Sequence, residues 1–264
     1  MVFCARVVIA GLANYEILQK CYGKLLSIWK KQMLIKIDAA QLEFRVATWL
    51  SMDPVAIQEI NSGADIHSNN QHAFNLPDRL TAKVYLFRTI FRGSGWSFAN
   101  DPAFNHVSDD PDYWDDVNKK FYTKYKGLDQ WHHKLAKLSA EQTPIVSPLG
   151  REWLVLPKDG KLQWTVFTNY PVQGTGADLM AIARISLANR LKRMRLRTLL
   201  VSTVHDDIKC DAPDDEVERV ANTAIEVFKD IPKNVKRLFN VDLPIPFPGE
   251  VSVGKDLLNM EKYG

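Results

Sequence analysis

The sequence has few cysteines and lacks a hydrophobic run long enough to cross a membrane. Its three cysteines, Cys4, Cys21 and Cys210, have neither disulfide-framework nor metal-motif spacing, which fits a reducing cytoplasm. The longest apolar run near the N-terminus covers residues 7–13, which is too short to span a bilayer and makes a poor signal peptide. We therefore expect a protein without a membrane anchor that works in the cytoplasm.

A strong charge of either sign is also lacking. The chain has 34 lysine and arginine residues against 31 aspartate and glutamate residues, so its net charge is +3. This balance alone does not indicate a nucleic-acid partner. The 264 residues contain no internal repeat or low-complexity tract, and they suffice for one large domain or two unequal subdomains.

Two short apolar runs carry aspartates. Residues 33–40 contain Asp38, residues 199–209 contain His205 and Asp206, and each run is predicted to form a buried strand. Because carboxylates are rarely buried without a partner, two of them on neighbouring strands would repel each other unless divalent cations lay between them. The pattern predicts a two-metal site for phosphoryl transfer.

Around these strands the sequence predicts mainly helices, at residues 41–50, 54–61, 78–91, 121–140 and 178–193. A hairpin is expected at residues 145–156 and a further, closing strand near the C-terminus, which the family resemblance described below places at residues 253–256. His132 and His133 are expected to face solvent or lie at the edge of the core. The order of elements indicates an α+β fold, in which a palm with an antiparallel sheet carries the aspartates and a helical insertion.

One predicted helix carries a stripe of cations and rings, Arg79, Lys83, Phe87 and Phe91, spaced four residues apart. At 3.6 residues per turn these side chains form a slowly drifting line on one helix face. The two cations can bind a triphosphate while the rings contact its sugar and base. An ordinary amphipathic helix with solvated cations and core aromatics explains the same spacing, so the stripe alone does not decide between the two.

The order of five motifs is more specific than any one of them. The motifs are residues 38–45 (DAAQLEFR), 63–67 (GADIH), the helix with Arg79 and Lys83, 169–175 (NYPVQGT) and 205–207 (HDD). In this order they closely resemble family A DNA polymerases, the bacterial DNA polymerase I type, in a phage-like form. The resemblance extends from about residue 33 to the C-terminus.

The resemblance implies catalytic roles for individual residues. Asp38 and Asp206, helped by the backbone carbonyl of Ala39, are implied to bind two magnesium ions, which activate the primer 3′-hydroxyl and stabilise the pyrophosphate leaving group. Arg79 and Lys83 are implied to hold the incoming triphosphate, and Lys83 also counts among the catalytic residues.

The resemblance further implies contacts to the sugar and to DNA. Phe87 is expected to pack on the sugar, and Phe91 stands where the family usually has a tyrosine. Glu43 matches a residue that crowds the 2′ position and excludes ribonucleotides, and Gln41 is expected to bind the substrate. Asn169, Gln173 and His205 match family residues that contact the primer-template near the primer terminus. The minor groove there presents hydrogen-bond acceptors that are common to all base pairs.

The domain organisation also follows from the resemblance. Residues 1–32 form an N-terminal segment of uncertain role, 33–66 the first part of the palm, 67–165 the fingers and 166–264 the C-terminal part of the palm. Thumb and exonuclease elements are not recognisable in the 37 residues before Asp38. The chain is therefore expected to be either the C-terminal piece of a split polymerase, with a separate polypeptide that supplies those elements, or a truncated gene product. The other expected partners are primer-template DNA and deoxynucleoside triphosphates, in the cytoplasm of a bacterium or a phage-infected cell.

Three functions remain open. A template-directed DNA polymerase needs the metal-binding and triphosphate-binding residues, all of which are present. A single-subunit phage-type RNA polymerase must leave room for the 2′-hydroxyl, which Glu43 opposes. A noncatalytic nucleic-acid-binding remnant gains nothing from two adjacent repelling carboxylates, yet Asp38 and Asp206 are both retained.

Overall fold

The structure is a computed structural model of the chain, and it describes residues 32–264. The segment at residues 1–32 therefore lies outside the described residues except for Gln32. The chain divides into two compact units, here called the sheet unit (described residues 32–38, 184–227 and 249–264) and the helical unit (residues 39–183 and 228–248). The palm and fingers boundaries implied by the resemblance stay a prediction. No helix within residues 32–264 is long and apolar enough to cross a membrane.

The sheet unit is built on a five-stranded sheet with the strand order β4-β5-β1-β6-β7. β5 pairs antiparallel with both β1 and β4, and β6 pairs antiparallel with β7, which confirms an α+β fold with an antiparallel sheet. The predicted closing strand is confirmed only as far as Gly254, because Lys255 and Asp256 follow the end of β6. The strands of this sheet are β1 (Gln32–Ala39), β4 (Leu199–Val204), β5 (Asp207–Pro213), β6 (Gly249–Gly254) and β7 (Met260–Lys262).

The two central strands bury one face of the sheet. Ile35 lies opposite Cys210 and Ile37 lies opposite Ile208, and all four side chains are fully buried. Because successive side chains of a strand point to opposite faces, the residues between them are directed to the other face. From Ile35 to Ala39 apolar and charged positions alternate along β1, which directs Asp38 to the face opposite Ile37.

The prediction of a single buried strand across residues 199–209 is wrong. β4 ends at Val204 and β5 begins at Asp207, so His205 and Asp206 form the turn of a hairpin. His205 has a φ of 53°, a left-handed conformation that suits a tight turn. Leu199 and Val204 are exposed, and β4 is an edge strand of the sheet.

The helical unit confirms three predicted helices to within one residue at each end. Asp53 accepts hydrogen bonds from the N–H groups of Val55 and Ala56, and Pro54 occupies the first turn, which explains where the second helix begins. The predicted hairpin is also confirmed, as β2 (Ile145–Val146) and β3 (Glu152–Trp153). The helices are α1 (Leu42–Ser51), α2 (Pro54–Asn61), α3 (Ile66–Phe74), α4 (Arg79–Ile90), α5 (Gly95–Ala99), α6 (Pro111–Lys124), α7 (Lys126–Ala140), α8 (Trp164–Arg193), α9 (Val217–Lys229) and α10 (Ile231–Phe239), of which α8 and α9 extend into the sheet unit.

The prediction of one helix across residues 121–140 is wrong, because the chain leaves helical geometry at Tyr125. This residue has φ −106° and ψ 68°, and it separates α6 from α7. Its ring is fully buried, and its hydroxyl lies 2.6 Å from Glu59 Oε2 and 2.9 Å from Asn70 Oδ1. Burial of the ring with these hydrogen bonds outweighs local helical propensity.

Helix α8 begins at Trp164 rather than at residue 178. Its first half contains Pro171, Gly174 and Gly176, which disfavour a helix by propensity. The two glycines allow close packing instead. A Cβ atom at Gly174 would lie 2.4 Å from the ring of Trp153, and one at Gly176 would lie 3.2 Å from Leu42. Tertiary contacts therefore decide the start of this helix.

Candidate functional site

One group of candidate residues is a set of carboxylates in the sheet unit. Asp38 on β1 is the register partner of Asp207 on β5, and Asp206 immediately precedes Asp207 in the hairpin turn. The structure thus places Asp38 beside the turn that carries Asp206. The side chain of Asp38 is 33% exposed, so the predicted burial of the carboxylates is wrong. The alternation from Ile35 onwards places Ile35 and Ile37 on the buried face and Asp38 on the other.

Two lysines accompany these carboxylates and were missed by sequence reasoning. Lys36 Nζ lies 2.7 Å from Asp38 Oδ2, and Lys209 Nζ lies 2.5 Å from each carboxylate oxygen of Asp207. Burial alone would lower the pKa of Lys36, but the hydrogen bond to Asp38 and the charges of Asp38, Asp207 and Asp206 raise it overall. Asp206 therefore lies within electrostatic range of Lys36. We call these five residues the acidic strand cluster.

The acidic strand cluster fits a hard cation in the chemistry of its donors. Carboxylate oxygens are the ligands that magnesium prefers, and Asp38 already binds a cation, the ammonium group of Lys36. Within residues 32–264, however, no group of three or more histidine, cysteine or acidic side chains is gathered closely enough to hold a metal ion. The cluster is therefore a cation-attracting surface rather than a preformed cage of ligands.

A separate group of candidate residues lies on α4 in the helical unit. Arg79 and Lys83 are exposed on its first two turns. Phe87 is 46% exposed, and its ring packs edge-to-face against Phe91 with the ring centres 5.3 Å apart. The helix ends at Ile90, so Phe91 lies just past its last turn, and the predicted stripe is helical only as far as Phe87.

An aspartate that sequence reasoning left out of the site orients Arg79. Arg79 Nε donates to Asp65 Oδ2 at 2.8 Å, and a terminal guanidinium nitrogen donates to Asp65 Oδ1 at 3.1 Å. Asp65 also caps α3 by accepting from the N–H groups of His67 and Ser68. Hydrogen bonds from Arg79 and Ser68 hold the pKa of Asp65 well below its usual range. The sequence signal for this residue was an acidic N-cap directly before a helix.

Gln41 and His67 lie in the same neighbourhood. Gln41 Nε2 is 3.3 Å from His67 Nε2, while His67 Nδ1 is buried without a hydrogen-bond partner. Burial and the positive charges of Arg79 and Lys83 lower the pKa of His67, against the opposing charge of Asp65, so the imidazole is neutral near pH 7. The structure therefore brings Gln41, His67, Arg79 and Lys83 together in the helical unit.

The connection from β1 to α1 is held by hydrogen bonds from the side chain of Arg45 to backbone carbonyl oxygens. Arg45 donates to the carbonyl oxygens of Ala40, at 3.0 Å, and Pro246, at 2.7 Å. Ala39, whose carbonyl is implied to assist the metals, ends β1 and is buried. Glu43 lies in the first turn of α1 and is half-buried. Glu43, which is expected to crowd the 2′ position of the sugar, therefore follows a segment that the Arg45 side chain anchors.

The three residues expected to contact DNA lie on different elements. Asn169 and Gln173 are four residues apart on α8, and their Cβ atoms therefore point to the same face of the helix. Gln173 is exposed. His205 is exposed in the β4–β5 turn of the sheet unit.

The prediction that His132 faces solvent or lies at the core edge is wrong. Its side chain is fully buried, its Nε2 lies 2.9 Å from the carbonyl oxygen of Ile90, and its Nδ1 lies 3.2 Å from the hydroxyl of Tyr122. Burial is the largest cause that lowers the pKa of His132, to about 3, so the ring is neutral. A neutral ring donates from Nε2 to the carbonyl and accepts at Nδ1, which anchors the end of α4.

Comparison with known proteins shows several similarities. A sequence model of DNA polymerase family A matches residues 22–258. The chain is 26% identical over 244 residues to thermostable DNA polymerase I of Thermus aquaticus, an alignment that covers 87% of this chain and 27% of that protein. It is 24% identical over 240 residues to a DNA polymerase of Bacillus phage SP01, with 85% of this chain and 26% of that protein covered.

A solved structure also resembles this one. It is the POL domain of Pol1 from M. smegmatis in complex with DNA primer-template and dNTP, with a TM-score of 0.72 at 20% identity. The match covers 85% of this chain and 40% of that chain, and it supports the fold. This chain spans about a quarter of the length of the curated relatives described above.

Proposed function

Since the chain belongs to DNA polymerase family A, we propose that it is the catalytic portion of a template-directed DNA polymerase, which adds deoxynucleotides to the 3′ end of a primer. One observation carries the proposal. The antiparallel register places Asp38 opposite Asp207, beside the turn that carries Asp206, so that carboxylates far apart in sequence lie on adjacent strands of one sheet. Carboxylates on adjacent strands suit the binding of the divalent cations used in two-metal phosphoryl transfer.

Asp38, Asp206 and the carbonyl oxygen of Ala39 are the groups that would hold two magnesium ions. When bound, the ions supply positive charge at the primer 3′-hydroxyl and at the leaving pyrophosphate. The carboxylates would bind and orient the ions, and the β1–β5 pairing holds Asp38 beside the turn that carries Asp206.

Arg79 and Lys83 would bind the triphosphate. Asp65 holds the guanidinium group of Arg79 in a fixed orientation before the nucleotide arrives, so less side-chain entropy is lost on binding. Lys83 offers a point charge on the next turn, which would stabilise the negative charge that develops on the leaving pyrophosphate.

The remaining candidate residues would contact the nucleotide sugar and the primer-template DNA. Phe87 and Phe91 offer an edge-to-face pair of rings for the nucleotide, while Gln41 and Glu43 would contact its sugar side. The DNA contacts would come from Asn169, Gln173 and His205.

Two alternatives are less favoured by the residues. A single-subunit RNA polymerase must admit the 2′-hydroxyl, which the carboxylate of Glu43 opposes. A noncatalytic nucleic-acid-binding remnant does not need Asp38 and Asp206. A separate polypeptide with thumb-like and exonuclease elements, a phage-like origin and a cytoplasmic location stay predictions.

Primer extension with magnesium tests the proposal, using the full chain with and without candidate partner chains. Asp38→Asn and Asp206→Asn are expected to abolish nucleotide addition while binding of primer-template DNA survives, because the metals rather than the duplex contacts are lost. Asp159→Asn is the matched control, since it makes the same change at an exposed aspartate. Extension at the parent rate by either site variant contradicts the two-metal assignment.

A further inference from the structure

The acidic strand cluster contains an ordered arrangement of opposite charges. In the β1–β5 register Lys36 lies directly opposite Lys209, and the next polar pair is Asp38 opposite Asp207. Residues two apart on a strand share a face, so the four side chains occupy adjacent positions on one face of the sheet. Each lysine binds the aspartate on its own strand, at 2.7 Å for Lys36 and 2.5 Å for Lys209.

Sheet packing does not account for these lysines. Like charges directly opposite each other destabilise an antiparallel pair, and this face has two such pairs in succession. The ion pairs along each strand, together with the attraction of Lys36 to Asp207 and Asp206, offset the repulsion. Much of the apolar packing of β1 and β5 is supplied by the opposite face, through residues such as Ile37 and Ile208.

The ion pairs are shielded from water to different degrees. Lys36 and Asp38 are each 33% exposed, whereas Lys209 and Asp207 are 13% and 14% exposed. Both pairs therefore interact more strongly than a fully solvated surface pair. The Lys36 pair is the more open of the two, and a cation from solvent can reach Asp38.

We propose that Lys36 is an internal cation that occupies the carboxylate of Asp38 and competes with divalent metal ions for it. The inference rests on the proposed function, in which Asp38 is a metal ligand. An ammonium group 2.7 Å from Asp38 Oδ2 occupies one acceptor site of this carboxylate and places a positive charge beside the position of a bound metal ion. The ion pair therefore weakens the affinity of the free chain for metal.

Direct metal binding tests this role. The dissociation constant for Mn²⁺ is measured by isothermal titration calorimetry on the full chain, without DNA or nucleotide. Lys36→Met, which removes the ammonium group and keeps an unbranched apolar stem, is expected to bind Mn²⁺ about tenfold more tightly than the parent. Lys36→Arg keeps the charge and is expected to bind like the parent. The ratio of the Mn²⁺ dissociation constants of the parent and Lys36→Met should decrease as the salt concentration is raised.

Lys262→Met is the matched control, because Lys262 also pairs with an acid of the same sheet, Glu250, and is expected to leave the dissociation constant unchanged. If Lys36→Met does not give the parent circular dichroism spectrum, Lys36→Gln replaces it with the same expectation. An affinity equal to or weaker than that of the parent in the folded variant overturns the inference.

The variant Asp38→Asn distinguishes failure of the proposed role of Lys36 from failure of the proposed function. If that variant loses the Mn²⁺ binding seen in the parent or in Lys36→Met, Asp38 is a metal ligand, and an unchanged Lys36→Met affinity then refutes only the role of Lys36. If Asp38→Asn binds Mn²⁺ like the parent, the metal assignment itself fails, and the role of Lys36 fails with it.

Discussion

Arg79 and Asp65 form a two-pronged ion pair that joins the first turn of α4 to the N-terminal cap of α3, with donor–acceptor distances of 2.8 and 3.1 Å. Only a planar guanidinium can make both contacts, since a lysine offers a single point charge. The pair therefore determines the direction in which the cation faces a bound phosphate.

We predict that Arg79→Lys raises KM for the incoming nucleotide roughly tenfold, with a smaller effect on kcat, because charge is kept but orientation is lost. Primer extension over a range of nucleotide concentrations measures both constants. Arg151→Lys is the control, since Arg151 makes the same two-pronged pair with Asp178 away from α4. A KM equal in the two variants would show that Arg79 does not bind the triphosphate.

Glu43 is predicted to select the sugar. Glu43→Ala removes a carboxylate from the first turn of α1, and the space left beside the 2′ carbon should raise ribonucleotide incorporation relative to deoxynucleotide by about tenfold or more. Competition between the two nucleotides in primer extension measures the ratio. Glu141→Ala, at an exposed position, serves as the control. An unchanged ratio would mean that the sugar lies elsewhere.

Glu216 gives a prediction about stability and pH. Its carboxylate accepts hydrogen bonds from the backbone N–H groups of Arg197 and Thr198 and from the side chains of the same two residues. These bonds hold the segment just before β4 in place. Burial raises the pKa of Glu216, but these hydrogen bonds outweigh it and lower the pKa to about 2. The folded state therefore gains stability at pH values above the unfolded pKa of about 4.3 and loses it as the pH falls.

Accordingly, Glu216→Gln should lower the free energy of unfolding by about 1–3 kcal/mol at pH 7. The difference from the parent should shrink between about pH 4.5 and pH 2. Urea unfolding at a series of pH values measures the free energy of unfolding of the parent and the variant. Glu218→Gln, at an exposed position, is the control. A difference that stays constant down to pH 2 would refute the role of the ionised carboxylate.

Gly174 and Gly176 give a matched pair of substitutions in α8. Alanine at either site gains about 1 kcal/mol of helix propensity. At Gly174 the new Cβ meets the rigid ring of Trp153 at 2.4 Å, whereas at Gly176 it meets Leu42 at 3.2 Å. We expect Gly174→Ala to lower the free energy of unfolding by about 1–3 kcal/mol and Gly176→Ala to be near neutral. Equal effects in urea unfolding would show that Trp153 moves aside.

The helices that the sequence predicted well have local signals. Asp53 with Pro54 marks the start of α2, and Asp78 accepts from the N–H of Thr81 at the start of α4. Such caps act within one turn of the chain, so they can be read without knowing any neighbour in space. Asp38, Asp206, Arg79 and Lys83 were likewise identified as candidates from local motifs.

The features that the sequence did not reveal depend on partners far along the chain. The break at Tyr125 follows from burial against Glu59 and Asn70, and the internal position of His132 follows from its contacts with Ile90 and Tyr122. Helical propensity, which depends on local sequence, predicts neither the break at Tyr125 nor the burial of His132. The hairpin turn at His205 was not predicted because the apolar pattern of residues 199–209 does not indicate where the chain reverses direction.

By itself, the amino-acid sequence determined the kinds of reactive groups, their order and the helices with strong caps, because residue type and local hydrogen bonding act over a few residues. Only the tertiary structure decided which of those groups meet. Lys36 faces Lys209 and Asp38 faces Asp207 because of the register of β1 with β5. A shift of one residue in that register would send every side chain of one strand to the opposite face, so pairing between distant segments sets the charges around the candidate site.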